Sequence, residues 1–266
     1  MNHSLPKALV VLGMTLISAS AQAATTWVGT ANYGVETVGP FDSYDFGVGV
    51  VLLEAFSGTG GPTNPAEGDV YNGYLQSYVS GHSLELMGVD APNLKITGSG
   101  VGYELTLRAD FKETITNVTG SNVDFTIDSG SAEIYLDLSP DYSFGGDTGF
   151  ADGTAILNGS IIGGSGTVFN KELGVTSIDV MITGYDSGVF DPDTIIAGRS
   201  VFTLQLTDGS NQFSGVTSVQ GNSVDQGDFL LSADGNLTLA AVPVPAAVWL
   251  FGTGLLGLLG MARRRH

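Results

Sequence analysis

Cysteine is absent from this chain, histidine occurs three times, and lysine plus arginine together number nine in 266 residues. Without cysteine there is no disulfide, no thiol nucleophile and no thiolate metal site, so the fold must be held by its core alone. His82 is the one histidine between the two terminal segments. Gly81-His82-Ser83-Leu84-Glu85 approaches the nucleophile elbow G-x-S-x-G, but Glu85 stands where the second glycine must permit the sharp turn. A Ser-His-Asp triad also needs a histidine that reaches the serine from elsewhere, and His82 is the direct neighbour of Ser83. One histidine among carboxylates is equally poor as a zinc site, so His82 reads as a loop residue. Between the two terminal segments no convincing helical period of adequate length appears, nor any repeat of the length that marks solenoids and propellers.

The scarcity of bases meets an abundance of acids. All 27 Asp and Glu lie between residues 24 and 242, against Lys95, Arg108, Lys112, Lys171 and Arg199, which leaves −22 on that segment. Such a surface repels nucleic-acid phosphates and anionic membrane faces, stays soluble by self-repulsion and attracts cations. Hard cations take several oxygen ligands from loops. The calcium candidates are therefore Asp186, Asp191 and Asp193 in one loop, and Asp147 and Asp152 around Gly149. Neither group has the EF-hand spacing, and local turn hydrogen bonding accounts for aspartates of this kind without a metal.

The chain ends differ from what they flank. "MNHSLPKALVVLGMTLISASAQAATT" has a short polar start with Lys7, an apolar stretch, and Ala21-Gln22-Ala23. That order of parts predicts a secretory signal helix over 1–23, cleaved after Ala23. At the other end, residues 246–262 carry no charge. As a helix they reach about 25 Å, slightly less than the roughly 30 Å apolar core of a bilayer. Arg263, Arg264 and Arg265 follow at once, and such a cluster prefers the cytoplasmic side. Within this segment Gly252-Thr253-Gly254-Leu255-Leu256-Gly257 fits G-x-G-x-x-G, yet it lacks the strand before it and the helix after it that give the pattern physical content.

Val242-Pro243-Val244-Pro245-Ala246, an apolar run opening Trp249-Leu250-Phe251-Gly252, and the closing Arg263 to Arg265 together resemble a PEP-CTERM sorting signal in its VPLPA form. The namesake Pro-Glu-Pro is Pro243, Val244 and Pro245 here. The resemblance implies an exported protein of a Gram-negative exopolysaccharide producer. It also implies transient anchoring in the inner membrane, processing by an exosortase, and a final place on the cell surface or in the extracellular matrix. "GDFLLSADGNLTLAAVPVPA" is also faintly similar to flocculation-associated members of that group. The chain thus divides into 1–23, an acidic extracytoplasmic domain over 24–242, and a sorting segment over 243–266.

Within 24–242, "VGYELTLRADFK" over 101–112 places apolar residues or Ala at every odd position and Gly or polar residues at every even one, the mark of a half-buried strand. The alternation returns in "AEIYLDL" (Ala132, Ile134, Leu136, Leu138), in "SIDVMIT" (Ile178, Val180, Ile182) and in "VFTLQLT" (Phe202, Leu204, Leu206). Gly, Asp, Asn and Ser bound each run. Clean alternation favours antiparallel sheets. The expected domain is all-β, an antiparallel sandwich of jelly-roll type with one short helix at most. Residues 56–73, 139–154 and 184–194 are expected to be surface loops. A glycosidase would need only two carboxylates about 5 to 10 Å apart, but also exposed aromatic platforms. Trp27 sits near the mature start, and Tyr103, Phe111 and Phe202 fall on apolar positions. No catalytic or cofactor-binding residue is assigned. The expectation is a noncatalytic surface or matrix protein supporting flocs or biofilm beside exopolysaccharide, with a carbohydrate-binding or glycosidase-like module as the alternative.

Overall fold

Eight long strands form one antiparallel sheet in the computed structural model, which describes residues 25–57, 64–169, 173–195 and 198–241. Numbered among themselves, they are β1 (Ser43–Ser57), β2 (Val70–Leu84), β3 (Glu104–Thr119), β4 (Asn122–Asp137), β5 (Thr154–Phe169), β6 (Leu173–Tyr185), β7 (Arg199–Asp208) and β8 (Phe229–Thr238). Each pairs with the next in sequence, and β8 returns to pair with β1 through Leu237 opposite Tyr44. The sheet is therefore a closed up-and-down barrel. The expectation of an all-β antiparallel domain holds, and no helix occurs among the described residues. The two-layer jelly roll does not hold. In a jelly roll chain-adjacent strands part company to cross between sheets, whereas here they remain neighbours throughout, and the β8–β1 ladder removes both sheet edges.

Alternation explains the wall. The odd positions of β3 from Leu105 to Ile115 point into the barrel, as do Ile178, Val180 and Ile182 of β6 and Phe202, Leu204 and Leu206 of β7, all buried. Leu138, expected on the same face as Ile134, lies beyond the end of β4 and is exposed. Eight strands leave a lumen just wide enough for side chains to fill, and two glycines make room for the largest of them. A Cβ on Gly73 would sit 2.2 Å from the Phe111 ring, and one on Gly166 would sit 2.3 Å from the Phe125 ring. Each aromatic ring lies over the glycine that faces it across the ladder.

One barrel end is closed by the segment preceding β1. Gly29–Asn32 pairs with Thr37–Phe41 and with Phe190–Asp191, forming a small three-stranded sheet. It carries Tyr33 and Phe41 to Tyr44, His82 and Tyr103, with Trp27 edge-on to Phe41 and Phe190. Removing a fully buried ring from such a plug costs about 3–5 kcal/mol. Thr25–Thr26 pairs with Ala240–Ala241, which pins the two ends of the domain together.

Two loops thicken the outside of β1 to β3. The run "VGVVLLEAF" in β1 is apolar on both faces because Val51 and Leu53 face the lumen while Val50 and Leu52 lie under Phe213, Val216 and Val219 of the 209–228 segment. That covering segment was not among the expected loops. The 138–153 loop, which was, packs Phe144 and Phe150 beside Tyr142, and Tyr142 stacks on Tyr78 of β2 at 5.0 Å. Asp147 clasps the two loops to the wall, accepting from Gln76 Nε2 at 2.9 Å, from Gln220 N–H at 2.9 Å and from Gly221 N–H at 2.7 Å. The expected loop at 56–73 shortens, since β1 continues to Ser57 and β2 begins at Val70. The one at 184–194 contains the short strand Phe190–Asp191.

Candidate functional site

His82 is a core residue of β2, not a loop residue. Its strand runs on to Leu84 before turning, and the ring enters the aromatic plug with 1% exposure. Nε2 lies 2.8 Å from the Tyr33 hydroxyl, which lies 3.0 Å from that of Tyr44, while Nδ1 is buried without a hydrogen-bond partner. Burial pushes the imidazole down to about 4, so it is neutral at ordinary pH. Ser83 Cα pairs with Ser43 and with Gly88 in the ladder. The elbow-like pentapeptide is thus plain strand through Leu84, with Glu85 and Leu86 forming the turn that follows.

The aspartates named as calcium candidates are occupied locally or dispersed. Asp147 gives both oxygens to the clasp. Asp186 accepts from Gly188 N–H at 2.8 Å in an Asx turn. Asp191, Asp193 and Asp152 are exposed. Among the described residues the one set of three acidic groups with ligand atoms all within 4.8 Å of one another lies elsewhere, at Glu104, Asp137 and Asp141. Ala21, Ala23, Pro243, Val244, Pro245, Trp249, Arg263, Arg264 and Arg265 lie outside the described residues.

Sequence position alone hides this trio. Glu104 occupies a polar-phase position at the start of β3 and would be expected in water, but the 138–153 loop covers it completely. Asp137 ends β4 directly opposite Glu104 in the ladder, and Asp141 comes from the loop itself. Tyr142 N–H donates to Glu104 Oε1 at 3.2 Å, the Asp141 backbone also bonds this carboxylate, and Oε2 is buried without a partner. Burial first, then the neighbouring Asp137 and Asp141 charges, push Glu104 up to about 7 against the two backbone bonds. Asp141 is raised as well, by desolvation and then by Asp152 and Asp137.

A second buried acid lies inside the lumen. Glu113 holds an inward position of β3 between Phe111 and Ile115, where the alternation calls for an apolar residue. It lines a cavity of about 70 Å³ at the barrel end away from the plug, together with Tyr71, Phe125, Leu206 and Phe229. Desolvation, with Asp128 adding to it, pushes Glu113 up to about 8. It is therefore mostly protonated at neutral pH, a polar neutral group in an apolar chamber.

The outer wall is a water-facing surface of carboxylates and hydroxyls. Ser131 donates to Asp110 at 2.6 Å, Thr114 to Asp128 at 2.6 Å and Thr167 to Asp124 at 2.7 Å, each across neighbouring strands. Among the described residues the exposed large apolar side chains include one aromatic, Phe169. Comparison of the chain with family models, with curated proteins and with solved structures finds no match in any of the three.

Proposed function

We propose that this chain is an exported, noncatalytic protein of the cell surface or extracellular matrix. In this reading the signal segment 1–23 is removed after Ala23, and an exosortase processes the segment 243–266 at the inner membrane. The acidic barrel then supports floc or biofilm cohesion in association with exopolysaccharide. The observation that carries the reading is the sequence of parts in the tail, Pro243-Val244-Pro245, then 17 uncharged residues over 246–262, then Arg263 to Arg265, behind a domain of net charge −22. The wall supports it. A lipid-embedded barrel turns apolar residues outward, whereas Asp110, Lys112, Asp124, Asp128 and Asp179 lie on the outward phase of β3, β4 and β6. A sugar-binding face would present aromatic platforms, and among the described residues Phe169 is the one aromatic that is exposed rather than buried or half-buried, so the carbohydrate-active alternative has less behind it. Deleting residues 243–266 tests the proposal. The expected result is a soluble barrel that is no longer retained at the surface or correctly processed; unchanged localisation of the truncated chain contradicts it.

A further inference from the structure

We infer that Glu104, Asp137 and Asp141 bind one hard divalent cation, calcium above others, where β3, β4 and the 138–153 loop meet on the outside of the barrel. This site is independent of the export reading. The first observation is geometric: one oxygen from each residue lies within 4.8 Å of the other two. Oxygens on opposite sides of a calcium ion, each at 2.3–2.6 Å, are separated by about 4.6–5.2 Å, so the trio has the width of a single coordination shell. The second is the buried Glu104 Oε2, which has no hydrogen-bond partner although the side chain is wholly covered. An orphaned carboxylate oxygen in that position is unfavourable in the protein alone, and an ion supplies the partner it lacks. The third is the ladder itself, which sets Glu104 directly opposite Asp137, a like-charge arrangement that destabilises a sheet unless something neutralises it. Among the described residues no lysine or arginine forms an ion pair with any of the three.

The donor set defines the ion's class. Three carboxylates and no nitrogen or sulfur suit calcium, magnesium or manganese over zinc, copper and nickel. A carboxylate on a strand, another at a strand end and a third on a loop form a site of unequal stiffness, which the flexible shell of calcium accepts more readily than the octahedral demand of magnesium. Backbone N–H groups of Asp141 and Tyr142 hold the Glu104 carboxylate in orientation. A bound ion ties the 138–153 loop, and with it the Asp147 clasp, to the barrel wall.

Calorimetric titration of the full chain with calcium chloride in chelator-treated buffer, paired with thermal unfolding, tests the site. The expected result is one saturable calcium per chain, a Tm that rises with calcium, and weaker binding of magnesium. Asp141→Asn, on an exposed loop, should weaken calcium binding about tenfold or more, since affinity follows ligand charge count. Glu104→Gln should do the same while keeping the two backbone bonds, and Asp186→Asn should leave binding unchanged. Absence of a saturable site overturns the inference. So does diffuse, multi-site binding to the acidic wall that Asp141→Asn and Glu104→Gln leave unmoved; should Glu104→Gln fail to fold, Asp141→Asn decides alone.

Discussion

Glu113 carries the clearest pH signature of any single residue. A carboxyl raised from its ordinary 4.5 to about 8 by burial keeps its proton in the folded chain over a range where the unfolded chain has released it. The folded state then binds more protons, so this residue's contribution falls as pH rises through that window, by at most about 1.4 kcal/mol per pH unit, and is constant outside it. Glu113→Gln keeps the shape and removes the titration. Chemical denaturation from pH 5 to 9 should show the wild-type chain losing stability more steeply than the variant, with the variant the more stable above pH 8; parallel profiles would contradict the assignment. Neither this role nor that of Glu104 was legible in the sequence. Glu113 sits on the apolar phase of β3, a local inconsistency visible in the alternation, but the segment read as a strand stopped at Lys112, one residue short of it. Glu104 sits on the polar phase and is buried by a loop about forty residues away in sequence, which no local pattern reveals.

Four of the eight long strands were legible, each with one wet face. The runs at 101–112, 132–138, 177–183 and 201–207 all fall in or against strands because their polar residues meet solvent and their apolar ones meet the lumen. β1 escaped the same test, since the 209–228 segment covers its outer face and erases the alternation. The hairpin after β2 shows a turn that chemistry did not announce. Glu85 and Leu86 take φ of 50° and 68° between the paired Leu84 and Met87. A two-residue turn with both central φ positive is the place for Asn-Gly, and a bulky residue there costs about 1–2 kcal/mol. Glu85→Asn with Leu86→Gly should therefore raise Tm by about 2–4 °C in a domain of this size. The backbone bond from residue 85 to Asp42 Oδ2, 3.0 Å in the wild type, needs no particular side chain and is kept. An unchanged or lower Tm in differential scanning calorimetry would show that the tight turn is not strained.

At the scale of the whole molecule, closure is what local patterns could not supply. A strand in a sandwich and a strand in a small barrel share one alternation. The difference lies in the β8–β1 ladder, between residues nearly two hundred apart in sequence. The barrel turns rows of carboxylates and hydroxyls to water, fills its lumen with apolar side chains except for the small chamber at Glu113, and seals one end with aromatics. Its eight long strands therefore leave no open edge among themselves for uncontrolled pairing, and the domain carries a large excess of like charge. Both properties would suit the exported cargo proposed above, a proposal that rests on the chain ends flanking the barrel. Intact mass of the native protein recovered from the cell surface and the medium tests that reading most directly. The account predicts a species beginning at Ala24 and lacking some or all of residues 243–266, with any attached glycan as added mass. Recovery from the cytosol of the full 266-residue chain, with Met1 and His266 both present, would contradict it.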